Sequence, residues 1–68
     1  MNEQQNFEIV FYMSEEQKVI AHVNAASYED LQERIREGGY MDLPPQRNEI
    51  VTMVNLSLVR YVKIYEER

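Results

Sequence analysis

The chain has no cysteine and no tryptophan, a single histidine, and only two glycines and two prolines. Without cysteine it can form neither a disulfide scaffold nor a thiolate site for metal or nucleophilic chemistry. One histidine is too few for a typical zinc site, and the sequence assigns no metal, no cofactor and no catalytic residue. No apolar run approaches the ~18 residues of a membrane-spanning helix. The polar start "MNEQQNFE" lacks the apolar centre of a secretory signal. The expectation from these absences is a cytoplasmic protein that does not engage a membrane. Basic residues are scarce as well. Seven Lys and Arg stand against twelve Asp and Glu, a formal net charge of −5. Nucleic-acid binding needs a basic surface to release counterions, so nucleic acid is an unfavoured partner.

What remains is short and rich in strand formers. Sixty-eight residues make one small domain, 1–68. A chain of this size buries only ~60% of the surface it would expose unfolded, and its core supplies roughly 3–5 kcal/mol of net stability. Residues 1–6 are polar and expected to fray. "FEIVFYM" then alternates, with Phe7, Ile9, Phe11 and Met13 on one side and Glu8, Val10 and Tyr12 on the other, the period of a strand. "SEEQ" suits a hairpin turn. "KVIAHVN" predicts a second strand, with Val19, Ala21 and Val23 opposite Ile20 and His22.

A helix is written most plainly in "AASYEDLQERIREGG". Ser27 fits the N-cap, with Asp30 three residues on. Glu29 and Asp30 complement the helix dipole in the first turn, and Gly38 or Gly39 can supply the left-handed stop. Tyr28, Leu31 and Ile35 form one narrow apolar stripe. Pro44 and Pro45 then exclude helix and disfavour a central strand. Residues 40–48 therefore read as a loop, with at most a short extended piece at 40–43. "EIVTMVN" and "LVRYVKIYE" predict two further strands, broken near Asn55, Leu56 and Ser57 and joined as a hairpin. The expected fold is α+β: a four-stranded, mainly antiparallel sheet in the order strand-strand-helix-strand-strand, with one helix on one face.

The individual polar residues have local structural roles ready to hand. Ser14 and Ser57 fit turns and Ser27 fits a cap, with no nucleophile-elbow pattern around any of them. His22 reads as a surface histidine. The glycine pair lacks the spacing of a phosphate loop. Met13, Met41 and Met53 read as core fillers. An enzyme is not expected.

The sheet raises a different question. A ten-residue helix is ~15 Å long and covers one face. The other face of a half-exposed sheet should be polar, yet either face of the last strand keeps large apolar groups. Such a face suits an interface, with Tyr and Arg as anchors. The expected function is a non-enzymatic interaction module that binds a protein partner or a second copy of itself. Val10, Tyr12, Tyr61 and Tyr65 would form its surface, and Arg60 and Lys63 would add polar specificity. The alternative is a nucleic-acid-directed protein, either a weak sheet-face binder using the tyrosines or an acidic DNA mimic.

"NAASYEDLQERI", followed by "VNLSLVRYV", resembles small uncharacterised proteins of Gram-positive bacteria and their tailed phages. The resemblance covers about half the chain. It implies two hairpins flanking a helix and an accessory protein of a phage or mobile element, placed in the host cytoplasm if phage-encoded. It implies no activity, cofactor or catalytic residue. "LPPQRN" departs from that pattern.

Overall fold

The alternation of Phe7, Ile9 and Phe11 builds the central strand of the molecule. A computed structural model describes residues 4–67, and in it these three side chains are almost wholly buried. Strand β1 (Gln5–Tyr12) pairs antiparallel with β2 (Lys18–Ala25) along its whole length, from Gln5↔Ala25 to Tyr12↔Lys18. The turn between them is closed by Met13 N–H donating to the Gln17 carbonyl at 3.0 Å. Ser14 Oγ accepts from the Gln17 N–H at 3.1 Å, the local side-chain turn that "SEEQ" promised. Of the six residues expected to fray, 1–3 lie outside the described residues. Gln5 and Asn6 belong to β1, where Gln5 pairs with Ala25 and Asn6 with both Asn24 and Glu67.

Helix α1 (Tyr28–Glu37) starts and stops where its sequence signals lie. Ser27 Oγ accepts from the Asp30 N–H at 3.3 Å. Gly38, at φ 79°, closes the last turn through its N–H to the Ile35 carbonyl. Leu31 is fully buried and Ile35 packs beside it, but Tyr28 stays exposed. The apolar stripe is thus narrower than Tyr28–Leu31–Ile35, because Tyr28, at the first helical position, stays out of the core.

Beyond the helix the fold departs from the expected single four-stranded sheet. The described residues form five strands in two antiparallel sheets, one ordered β2-β1-β5 and the other formed by β3 and β4. The short extended piece at 40–43 is itself a strand, β3 (Tyr40–Leu43), and it pairs with β4 (Thr52–Asn55). The last strand, β5 (Tyr61–Glu67), does not form a hairpin with β4. It crosses to β1 and pairs from Asn6↔Glu67 to Tyr12↔Tyr61. The cause is a 3-10 turn at Leu56–Leu58. Asn55 Oδ1 caps it, accepting from the Ser57 N–H at 3.1 Å and the Ser57 hydroxyl at 2.7 Å. This turn redirects the chain instead of folding it back, and Arg60 N–H then donates to the Tyr12 carbonyl at 2.8 Å.

The loop between β3 and β4 is tied to itself. Glu49 N–H donates to the Gln46 carbonyl at 3.0 Å. The Glu49 carboxylate accepts from the Gln46 N–H and from the Thr52 hydroxyl. These bonds hold the Glu49 carboxyl below its ordinary range, the Thr52 bond most strongly.

One hydrophobic core results. Phe7, Ile9 and Phe11 of β1 and Ala21, Val23 and Ala25 of β2 meet Leu31 of the helix and Met41, Leu43 and Val54 of the small sheet. Burying a side chain such as Leu31 is worth about 1.5–3 kcal/mol. Of the expected methionine fillers, Met41 is buried and Met13 packs at the edge, while Met53 is exposed because it lies on the outward side of β4. No described helix is long and apolar enough to cross a membrane.

Candidate interaction face

The helix and the small sheet both pack on the same side of β2-β1-β5. The opposite side carries the residues of other parity, in rows set by the register. Lys18, Tyr12 and Tyr61 form one row; Ile20, Val10 and Lys63 the next; His22, Glu8 and Tyr65 the third. Asn24, Asn6 and Glu67 end the series. Nothing among the described residues is layered over these rows.

The first two rows are apolar with cationic edges. The Tyr12 and Tyr61 rings stack with centroids 4.5 Å apart and planes 12° from parallel. Lys63 holds its ammonium 5.7 Å from the Tyr12 ring centroid, within the range of a cation–π contact. Val10, in the middle of the central strand, is only 5% exposed, shielded by Ile20 and Lys63 on either side. The large apolar groups left open are Ile20, 44% exposed, Tyr61, 52%, and Tyr65, 47%.

The expected interface residues therefore separate. Val10, Tyr12, Tyr61, Lys63 and Tyr65 share this face. Arg60 precedes β5 and lies beside the β1–β2 turn, around a shallow depression that it shares with Ser14, Glu15 and Glu16. Ile20 is the residue the sequence reading did not include. Its signal was present in the hairpin, since Tyr12 opposite Lys18 across "MSEEQ" places Ile20 opposite Val10.

The far end of the face is polar. His22 Nδ1 pairs with the Glu67 carboxylate, reaching over β1 from the two flanking strands. Glu8 stands between them, and ligand atoms of Glu8, His22 and Glu67 all lie within 4.8 Å of one another. The hydrogen bond and charge of Glu67 raise the His22 pKa above its ordinary value, with a smaller push from Glu8. Elsewhere, a groove of about 140 Å³ runs between β2 and the β3–β4 loop, lined by Val19, Ala21, Leu43 and Pro44 among others. It is below the ~300–1,000 Å³ usual for small-molecule sites. Comparison with family models, with curated proteins and with solved structures gives no match.

Proposed function

We propose that this chain is a non-enzymatic interaction module that binds a second copy of itself or another protein through the outer face of β2-β1-β5. One observation carries the reading: Ile20, Tyr61 and Tyr65 lie open on a single sheet face while the helix and the small sheet cover the other. Exposed apolar groups gathered on one face suit an interaction surface, and tyrosines are frequent anchors there. Lys18 and Lys63 give the face a polar rim. The resemblance to small proteins of Gram-positive bacteria and their tailed phages fits a phage or mobile-element accessory role, in the host cytoplasm if the chain is phage-encoded.

The nucleic-acid alternative has less support. Tyr12 already engages Tyr61 and Lys63, and Glu8 and Glu67 place carboxylates on the same face. The test is sedimentation equilibrium of the full chain, with and without Tyr65→Lys, at low and high salt. Self-association should give a mass above the monomer's 8.2 kDa, should persist in high salt, and should be lost in the variant. If the chain is monomeric, capture from the native cell should yield one salt-stable protein partner that Tyr65→Lys releases. A monomer with no such partner refutes the reading. Steep weakening by salt together with nucleic-acid recovery replaces it with the alternative.

A further inference from the structure

We propose that Glu8, His22 and Glu67 form a binding site for a divalent transition-metal ion, for which zinc is the fitting probe. The fold, not the sequence spacing, makes this cluster. Its members come from β1, β2 and the chain-terminal strand β5, and the register sets Glu8 directly opposite His22. Their donor atoms are already within 4.8 Å of one another. In a zinc site, bonds of about 2.0–2.2 Å to nitrogen and oxygen set donors roughly 3.4 Å apart. The His22 imidazole and the Glu67 carboxylate are in direct contact, so this pair must give up its shared proton and part slightly to admit the ion while Glu8 closes in. It faces no packing barrier, because His22 and Glu67 are exposed and Glu8 is only partly buried.

The His22–Glu67 pair has a second acid beside it. A His22–Glu67 pair needs one nitrogen and one carboxylate, yet Glu8 stands against both. A protonated His22 meets these two carboxylates with one positive charge, whereas a divalent ion would meet them with two. Lys63, on the same face, directs its ammonium to the Tyr12 ring instead. A bound divalent ion would neutralise both acids and take the imidazole as its nitrogen ligand.

The donor set, with a single histidine and so not a typical zinc site, still narrows the choice of ion. One imidazole with two carboxylates suits zinc and its first-row neighbours, whereas magnesium and calcium favour all-oxygen shells. Three protein ligands leave one position for water, or for a donor from another molecule. The site stands independently of whether the neighbouring apolar face binds a partner.

The experiment is calorimetric titration of zinc into the full chain stripped with EDTA, repeated with Glu8→Gln, His22→Gln and Glu67→Gln. The expected result is one zinc per chain with micromolar affinity, weakened at least about tenfold by each substitution. Zinc should also raise the thermal midpoint of the parent chain and leave that of His22→Gln unmoved. Cobalt in place of zinc should give the visible absorption of a low-coordinate site that contains nitrogen. All three side chains leave the core untouched, so matching midpoints in EDTA verify that the variants fold. If His22→Gln does not fold, Glu67→Gln at the chain end carries the test. Absence of saturable binding overturns the proposal. So does zinc affinity that the substitutions leave unchanged, which would place the ion on scattered surface acids.

Discussion

The two sheets of this molecule are held in different ways. In the larger, β1 is paired on both sides, and its inner face is the centre of the core. Even Val10, on its outer face, is shielded. The smaller has four residue pairs between β3 and β4, too few to stand alone in water. It depends on Met41, Leu43 and Val54 in the core and on connections at its ends. One of these is the Leu56 N–H donating to the Gly39 carbonyl at 2.8 Å. Its outward side leaves Tyr40 and Met53 exposed, and the loop leading into β4 adds Val51 and Ile50, the latter at 93%. The larger sheet therefore sets global stability, while the smaller is the first place the structure opens.

Phe11→Ala should have the largest effect, a loss of about 3–5 kcal/mol. That equals the whole stability expected of a chain this size, so urea denaturation followed by circular dichroism should find the variant mostly unfolded. Leu43→Ala, in the smaller sheet, should lie at the lower end of the ~2–5 kcal/mol range for such truncations. If Leu43→Ala is as damaging as Phe11→Ala, the two sheets form one cooperative unit and the contrast fails.

The connections allow a smaller and more local perturbation. Gly39 stands at φ 74° at the entry to β3, and an added Cβ there would meet no atom within 4 Å. Gly39→Ala therefore introduces left-handed backbone strain alone, worth about 1–2 kcal/mol. Hydrogen exchange in this variant should accelerate at β3 and β4 amides well before β1 amides. Uniform acceleration would again join the two sheets. Ser27→Ala removes the helix cap and should cost about 1 kcal/mol, read from the denaturation midpoint.

The helix was legible because its signals are local: Ser27 and Asp30 at one end, Gly38 at the other. The β1–β2 hairpin was legible for the same reason, through alternation and "SEEQ". The destination of β5 was not. Its pairing with β1 joins Asn6 to Glu67, and no short-range pattern encodes a contact between the two ends of a chain. The sequence brought Tyr61, Lys63 and Tyr65 to one side of a strand by parity. It could not put that strand beside Tyr12, nor set Glu67 against His22. β3 was read only as a short extended piece at 40–43 within a loop because Pro44 and Pro45 dominate the local pattern, although Met41 and Leu43 alternate as a strand should.

The gentlest probe of the larger sheet is the titration of His22 in metal-free protein. The groups facing it are Glu67, paired to its ring, Glu8 opposite it on β1, and then Tyr65 and Lys63 on β5. The Glu67 hydrogen bond and charge favour the imidazolium, and Glu8 adds to them. The folded-state pKa therefore lies above the unfolded value. Stability from the pair is fully present below the unfolded pKa and is lost as pH rises through the folded one. Proton NMR of the ring should show a midpoint above the ordinary histidine value of 6.5. Glu67→Gln should bring the midpoint back toward that value while leaving the core resonances of Phe7 and Phe11 in place. Because the pair joins β2 to β5 across β1, the same result would show that the C-terminal strand is docked in solution. An unshifted midpoint in the parent chain would mean that β5 frays at its end, and the larger sheet would open locally as the smaller one is expected to do.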